Sequence, residues 1–309
     1  KVRPETRERI QALIDQLGYQ PSAAARNLAS RRTQSIMLIV PNVTDNYYAR
    51  LIRRMLQLGR EHDQRIWLGV SDGEPDVEAR YLSEAHEGNV DGLIVSSLLA
   101  EENTPHFLAL AHRKFPVVHM SNECLNPRMN AVIYDDIAGA KLAMQHLFDK
   151  GHTRIAFCGA TAHFRTVRER IRGDRESMAQ AGYPVDPAWL LVTETRLEEW
   201  PWENFDNLFG TKPPPTAIFA ENDVMAIACL RRLRASSRHI PEDVAVVGFD
   251  NTYPRHAVEQ PLTTIALPLS DACRTAMEIL LKEIGQPKEE RTGNTVKMLP
   301  PSLVVGKTT

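Results

Sequence analysis

Cysteine is scarce in this sequence, and the four that are present stand far apart. No two of them form a C-x-x-C pair, which excludes a zinc ribbon and argues against a disulfide scaffold. We therefore expect buried free thiols. The four residues are Cys124, Cys158, Cys229 and Cys273.

Long apolar runs are missing as well. No run approaches the ~18 residues that a membrane span needs, so no membrane contact is expected. The first ten residues, KVRPETRERI, are charged and lack the apolar segment of a secretion signal. Together these observations predict a cytoplasmic protein.

The motifs of common enzyme classes are also absent. The sequence contains no G-x-G-x-x-G, no G-x-x-x-x-G-K-S/T, no H-E-x-x-H and no G-x-S-x-G. Its ten histidines show no metal-ligand spacing. We therefore expect neither an enzyme nor a bound metal or cofactor.

The residues that are present have an ordinary globular composition and an uneven charge. With 43% hydrophobic and 25% charged residues, 309 residues suggest about two domains at ~150 residues each. Residues 1–34 hold seven basic and three acidic side chains, whereas the remainder holds 30 basic and 36 acidic ones. A basic arm on an acidic body indicates a local contact with nucleic acid, and the alternative is a solvated basic helix.

Apolar strands alternate with helical patterns from residue 35 onward. SIMLIVP at 35–41 is a short apolar strand, and 47–62 has the i, i+3, i+4, i+7 apolar spacing of an amphipathic helix. Because parallel neighbours need a long crossover, this alternation predicts an α/β fold with doubly wound, mostly parallel sheets.

The alternation forms two series, which divide the chain into two subdomains with a boundary near Asp135–Asp136. The late elements are expected to return to earlier sheets, so that several crossovers join two discontinuous subdomains around a cleft. We assign 35–135 plus 267–292 to the N-terminal subdomain and 136–266 plus 293–309 to the C-terminal one.

Two short segments, 1–20 and 21–34, precede the subdomains. The first is predicted to form one helix over 4–18, which a proline opens and a glycine ends. The second begins with PSAAARNLAS, which is too short for a stable isolated helix, and continues as a polar linker. We expect Pro21–Ser30 to be disordered or loosely held in the absence of DNA.

Several segments together resemble the LacI/GalR family of bacterial transcription regulators. The first likeness lies in PETRERIQALIDQLGYQPSAAARNLASRRTQSIMLIVPNVTDNYY. It continues, in family order, through VDGLIVSS, PVVHM, GHTRIAFCG, AIFAENDVMAIACL, IPEDVAVVGFDNT and PLTTIALP. The resemblance spans essentially the whole chain and implies two subdomains of the type I periplasmic-binding-protein-like fold.

The resemblance also implies a DNA-binding element. Thr6–Leu17 is similar to the last helix of the family's helix-turn-helix headpiece, and Pro21–Ser30 to its hinge helix. The two preceding helices lie outside this sequence, so we expect only weak binding of operator DNA with little sequence preference. Leu28 would enter the minor groove as an apolar wedge, although it alternatively packs against the body. The implied DNA contacts are Ser22, Ala23, Arg26, Asn27 and Leu28.

Family members bind a small-molecule effector at loops that follow the carboxyl ends of strands. Tyr48 alternatively belongs to the core, and Asn222 and Asp250 alternatively cap helices, as Asp223 is expected to do. The effector contacts that the resemblance implies are Asn46, Tyr47, Tyr48, Asp136, Thr166, Arg170, Arg196, Asn222 and Asp250.

The identity of the effector is suggested by four arginines. Arg165, Arg168, Arg170 and Arg196 favour an anionic sugar such as a sugar acid. With Arg170 and Asp250 on opposite walls of one pocket, Arg170→Ala would remove a contact of ~1.5–3 kcal/mol with little effect on folding. We expect a ligand-responsive repressor that acts as a homodimer. The alternative is a stand-alone sugar-binding or solute-binding protein of the same fold.

Overall fold

The computed structural model of the chain describes eight stretches of residues. They are 3–17, 32–97, 102–120, 129–160, 164–183, 185–193, 199–253 and 259–309. Over these stretches strands and helices alternate as the sequence predicts. Outside them lie Arg196 and the predicted DNA contacts, which are Ser22, Ala23, Arg26, Asn27 and Leu28.

The first of two six-stranded sheets forms the centre of the N-terminal subdomain. Its strands are β1 (Ser35–Val40), β2 (Arg65–Val70), β3 (Gly92–Val95), β4 (Val117–Met120), β5 (Asn130–Tyr134) and β11 (Val296–Leu299). They are parallel, in the order β11–β5–β4–β3–β1–β2. All six residues of β1 are buried, as expected for a central strand of a sheet covered on both faces.

The second sheet forms the centre of the C-terminal subdomain. Its strands are β6 (Ile155–Ala160), β7 (Leu190–Thr193), β8 (Ala217–Ala220), β9 (Ala245–Asp250), β10 (Thr263–Ala266) and β12 (Ser302–Val304). The order is β12–β10–β9–β8–β6–β7, and only β12 pairs antiparallel among the strands described. The predicted α/β fold of two mostly parallel sheets is therefore confirmed.

Helices fill the connections between strands. Short turns extend α3 at Ala85–Asn89 and precede β7 and β11 at Pro187–Trp189 and Lys288–Glu290. In the described stretches the helices are α1 (Pro4–Leu17), α2 (Asn46–Glu61), α3 (Pro75–Glu84), α4 (Thr104–His112), α5 (Asp136–Asp149), α6 (Arg165–Ala181), α7 (Trp202–Leu208), α8 (Asp223–Ala235) and α9 (Leu269–Gly285).

The described chain crosses between the subdomains three times. After β5, helix α5 packs on the second sheet. The packing is so close that a Cβ added to Gly139 would lie 2.6 Å from the Phe249 ring. After β10, helix α9 returns to the first sheet, where a Cβ on Gly92 would lie 2.9 Å from Leu280. The third crossover joins β11 to β12. Three connections at one side leave a cleft between the sheets.

The third crossover corrects part of the predicted domain assignment. The sequence pattern assigns 293–309 to the C-terminal subdomain, but Val296–Leu299 pairs with β5 in the first sheet. Both late strands are short and none of their residues is buried, so their apolar pattern does not indicate which sheet they join. Only Ser302–Val304 extends the second sheet.

Asp91, directly before β3, ties the polar linker to the N-terminal subdomain. Its carboxylate accepts hydrogen bonds from the N–H groups of Thr33 (2.9 Å) and Gln34 (2.7 Å). Arg32 donates from Nη2 to the carbonyl oxygen of Ile284 (3.0 Å), in the last turn of α9. The linker therefore meets the body at a fixed point between β3 and α9.

Three further sequence expectations concern single residues and absences. Cys158, Cys229 and Cys273 are buried free thiols, and Cys124 lies outside the described stretches. No described helix is long and apolar enough to cross a membrane. Within the same residues, no group of three or more His, Cys, Asp or Glu side chains is placed to hold a metal ion.

Candidate functional site

A cavity of about 210 Å³ lies between the two subdomains, outside the carboxyl ends of strands from both sheets. Such crevices are where open α/β sheets present their ligand-binding loops. The N-terminal subdomain contributes Asn42, Asp45, Tyr47, Tyr48 and Tyr134. The C-terminal subdomain and its connection contribute Phe164, Thr166, Val167, Arg170, Glu221, Asn222, Asp250 and Leu267.

Arg170, on α6, lines this cavity and is held by four contacts. Its Nε donates to Asp136 Oδ1 (3.0 Å), and its Nη2 lies 3.2 Å from Asp250 Oδ1. Nη1 donates to the carbonyl oxygen of Glu221, and the guanidinium carbon lies 3.8 Å from the ring centroid of Phe249. Because a guanidinium has five N–H donors, this arrangement leaves further donors in a fixed orientation.

Asp250 ends β9 in a strained backbone conformation. Its φ is +97° and that of Asn251 is +52°, in the left-handed region that residues other than glycine rarely adopt. Asp250 Oδ1 is buried beside Arg170, but it forms no well-aligned hydrogen bond with any described residue. Strain and an unused buried acceptor at one residue are typical of functional sites.

The contact between Arg170 and Asp250 corrects the expectation that they face each other across the pocket. Both belong to the C-terminal subdomain, one on α6 and the other at the end of β9, and they form an ion pair. The wall that faces them comes from the N-terminal subdomain. The two residues are distant in sequence, so only the pairing of strands reveals that they touch.

Asp136, the first residue of α5, is a partner of Arg170 rather than a lining residue. Its side chain is fully buried, and its Oδ2 lies 3.4 Å from Arg165 Nη2 while Oδ1 accepts from Arg170. Removing such a carboxylate would free the guanidinium to rotate. Asp136 therefore orients Arg170.

Asn222, rather than the expected Asp223, caps α8. Asn222 caps α8, since its side chain accepts from the N–H of Met225 (2.8 Å), and it also lines the cavity. Asp223, expected as the cap, instead accepts from the Thr264 hydroxyl (2.5 Å) and the Thr252 N–H (2.7 Å). Asp223 thus joins β10 to the turn after β9.

Aromatic side chains form the wall of the N-terminal subdomain. Asp45 caps α2 by accepting from the N–H of Tyr47 (2.7 Å). The rings of Tyr47 and Tyr48 meet edge to face at 5.1 Å, and the Tyr47 and Tyr134 hydroxyls are 3.3 Å apart. All three tyrosines that line the cavity also pack on the core, Tyr48 among them, and contact of Tyr48 with an effector stays a prediction. Asn46 begins α2 and does not line the cavity.

Glu221 is a lining residue that the sequence analysis does not identify. It follows β8 directly, is 5% exposed, and accepts at Oε2 from the N–H of Ala160 (2.9 Å). The available signal is a charged residue directly after an apolar strand, the position that Asp250 occupies at the end of VAVVGFD. No comparable signal marks Phe164, Leu267 or Tyr134.

Burial raises the pKa values of the carboxyl groups around Arg170. The pKa of Asp250 rises to about 7 because burial outweighs the attraction of Arg170, and that of Glu221 rises to about 8 for the same reason. Burial opposes the charge of Arg170, but Asp250 and Asp136 outweigh it and raise its pKa. The site has more carboxyls than cations, so some carboxyls keep their protons at neutral pH.

One buried carboxyl, Asp174 on α6, lies away from the cavity. It is 3% exposed, its Oδ1 has no hydrogen-bond partner within the described stretches, and burial raises its pKa to about 7. The unfolded chain loses this proton at lower pH than the folded chain, so stability falls as pH rises from about 4 to about 7. We expect Asp174→Asn to raise the free energy of unfolding by ~1–3 kcal/mol at pH 8 and to have little effect at pH 4. Urea denaturation at both pH values measures this, and equal effects would exclude Asp174 as the titrating group.

A larger cavity, about 390 Å³, lies at the amino ends of β4, β5 and β11. Its cations are already engaged with the main chain: Lys114 donates to the carbonyl of Glu289 (2.7 Å), and Arg291 donates to that of Lys114 (3.3 Å). None of the described residues that the sequence marks as site residues lines it. The smaller cavity is therefore the better candidate.

Known proteins resemble this chain over nearly its whole length. A family model for a periplasmic binding protein-like domain matches residues 144–309. The HTH-type transcriptional repressor PurR of Photobacterium profundum is 30% identical over 304 residues, which cover 98% of this chain and 89% of that protein. A solved structure of the transcriptional regulator CelR in complex with cellobiose has 28% sequence identity to this chain and a TM-score of 0.77. The match covers 100% of this chain and 92% of that one.

A third similarity concerns the fold alone. The lac repressor dimer bound to operator and an anti-inducer matches at a TM-score of 0.85 and 20% identity, covering 100% of this chain and 91% of that one. Its architecture is the pair of mostly parallel sheets with several crossovers found here. The fold and the shared sequence together assign the chain to the LacI/GalR family of transcriptional regulators, with the type I periplasmic-binding-protein-like fold.

Proposed function

We propose that this protein is a transcriptional repressor that responds to a small polyhydroxylated effector bound between its subdomains. The observation that carries the proposal is the pair of Arg170 and Asp250 on the cavity. Arg170 has N–H donors to spare, and Asp250 Oδ1 has no aligned hydrogen-bond partner among the described residues. A donor and an acceptor side by side match the two hydroxyls of a vicinal diol.

The charges of the cavity favour a neutral sugar over the sugar acid suggested by the arginine count. Arg170 already faces the carboxylates of Asp136 and Asp250, and Arg165 lies next to Asp136. An anionic effector would compete with Asp250 for the guanidinium in a site that holds an excess of carboxyls. The aromatic wall suits the apolar face of a sugar ring. The cellobiose complex of CelR supports the same ligand class.

Helix α9 offers a mechanical route from the cavity to the linker. Leu267, two residues before this helix, lines the cavity, and the carbonyl of Ile284 near the far end of the helix accepts from Arg32. Asp91 holds the next two linker residues. An effector that closes the cleft would thus move the point from which the hinge segment emerges. By reciprocity, DNA would change effector affinity by the same factor.

An exposed apolar edge fits the homodimer that the proposal requires. Trp67 and Leu68, on the edge strand β2, are 57% and 43% exposed. Two copies paired near this edge would bring two hinge segments to one two-fold DNA site. The match to a lac repressor dimer supports a homodimer. The roles of Ser22, Ala23, Arg26, Asn27 and Leu28 in contacting DNA stay predictions.

The proposal is tested by calorimetric titration with cellobiose, ribose, glucose and glucuronate. We expect a neutral sugar to bind. Asp250→Asn should lower the affinity for that sugar about ten- to a hundredfold, because a charge-assisted hydrogen bond is lost. Asp174→Asn, a matched change of a buried carboxyl outside the cavity, should leave the affinity unchanged.

Three results would count against parts of the proposal. If Asp250→Asn bound the sugar as tightly as wild type, the sugar would bind outside this cavity. If glucuronate bound more tightly than the neutral sugars, the effector would be a sugar acid rather than a neutral sugar. A sugar that binds without changing DNA affinity would favour a stand-alone sugar-binding protein.

A further inference from the structure

Glu221 has a buried carboxyl group without a cation of its own. Its Oε2 accepts from the N–H of Ala160 (2.9 Å), and Oε1 accepts a longer hydrogen bond from Asn222 Nδ2 (3.4 Å). Arg170 reaches the main-chain oxygen of Glu221. Within the described stretches, no Lys, Arg or His forms an ion pair with this carboxyl.

The groups that face Glu221 do not supply the missing charge. They are Arg170 from α6, Asp250 from β9 and the buried thiol of Cys158 from β6. The one cation among them already pairs with Asp136 and Asp250. A third ionised carboxyl would leave an uncompensated negative charge in a buried site, which strongly favours the neutral acid.

The surroundings also decide which oxygen carries the proton. A Cβ on Gly159 would lie 2.7 Å from Glu221 Oε2, so the glycine lets the carboxyl lie close against β6. There Oε2 accepts the shorter of the two hydrogen bonds, from the N–H of Ala160, and is therefore better placed than Oε1 to be the carbonyl oxygen of the acid. The hydroxyl is then Oε1, on a residue that lines the cavity.

We propose that Glu221 is a specificity-determining residue which, as a neutral carboxylic acid, donates a hydrogen bond from Oε1 to an acceptor oxygen of the effector. Suitable acceptors are the ring, glycosidic or carbonyl oxygens of a sugar. The inference rests on the proposed function for the identity of the cavity, whereas the protonation of Glu221 stands independently. The pKa of about 8 that burial gives this group agrees with a neutral acid at pH 7.

Infrared difference spectroscopy tests the protonation without any ligand. At pH 7 the spectrum of the wild-type protein minus that of Glu221→Gln should show a protonated carboxyl C=O band, which disappears as pH rises through about 8. Glutamine keeps the size of the side chain and the oxygen that accepts from Ala160. Asp174→Asn should remove a different band, with a midpoint near pH 7. A carboxylate band for Glu221 at pH 6 would overturn the proposal.

Calorimetry with cellobiose, ribose and glucose tests the donor role. For any of these that binds, wild-type affinity should fall roughly tenfold between pH 7 and pH 9, since only the protonated form donates. Glu221→Gln, which carries a permanent N–H donor, should bind at pH 7 within a few-fold of wild type and lose the fall in affinity between pH 7 and pH 9. Asp174→Asn should retain the wild-type profile.

The outcomes separate this inference from the proposed function. If none of the three sugars binds at any pH, the proposed effector class fails, while the infrared result still decides the state of Glu221. If a sugar binds and Glu221→Gln keeps the wild-type pH profile, the donor role of Glu221 is wrong and the site assignment stands.

Discussion

Arg170→Ala is expected to lower the free energy of unfolding by about 3–5 kcal/mol, besides removing effector binding. The guanidinium is 8% exposed and is the partner of Asp136, whose side chain is fully buried, and of Asp250. Alanine would leave both carboxylates without that cation, and it would uncover the ring of Phe249. This replaces the expectation from sequence that the change has little effect on folding.

The pH dependence of this loss distinguishes it from a packing defect. Asp136 and Asp250 have raised pKa values and take up protons as pH falls, so the loss should be smaller at pH 5 than at pH 8. Denaturation in urea at both pH values measures it. Arg172→Ala, two residues along the same helix and 62% exposed, is the control and should hardly change stability. Equal losses at the two pH values would contradict the ionic explanation.

Gly173→Ala is expected to destabilise the protein by about 1–3 kcal/mol and to weaken effector binding as well. A Cβ on Gly173 would lie 2.6 Å from the Cβ of Ala140 and 2.8 Å from the carbonyl oxygen of Ile137. Both atoms belong to α5, whereas Gly173 is on α6, so the methyl group would force the two helices apart. Because Asp136 is on α5 and Arg170 is on α6, their 3.0 Å contact would lengthen.

The matched control is another helical glycine with free space around it. No described atom lies within 4 Å of a Cβ on Gly285, so alanine there should be neutral or stabilising by up to ~1 kcal/mol. Thermal and urea unfolding of both variants, with sugar titrations, provide the comparison. A Gly173→Ala variant as stable as Gly285→Ala would show that the α5–α6 contact is looser than described.

Local sequence patterns were sufficient for most elements of the fold. The apolar run at 35–41 becomes the buried strand β1, and the spacing over 47–62 becomes α2, because periodicity reports directly on burial. The strand β11 has three exposed residues out of four, so its place beside β5 depends on a long-range pairing that no local pattern encodes.

The site was predictable as a set of positions but not as an arrangement. Residues directly after apolar strands mark the mouth of the cleft, which is why Asn222 and Asp250 were identifiable. Their partners were not, since Arg170 meets Asp136 and Asp250 only after the second sheet has formed. Glu221 has the same position after a strand, but the absence of an ion-pairing cation among the described residues is a property of the folded site.

The most direct test of the regulatory role is the affinity for operator-like duplex DNA with and without saturating sugar, at constant salt because phosphate contacts are salt-dependent. The experiment uses the sugar that binds in calorimetry and compares the wild-type protein with Asp250→Asn. We expect the sugar to change wild-type DNA affinity about 5- to 150-fold, a typical coupling between two sites. Asp250→Asn should bind DNA normally and should need about ten to a hundred times more sugar for the same response. Wild-type DNA affinity that stays constant while the sugar occupies the cavity would contradict the proposed repressor function.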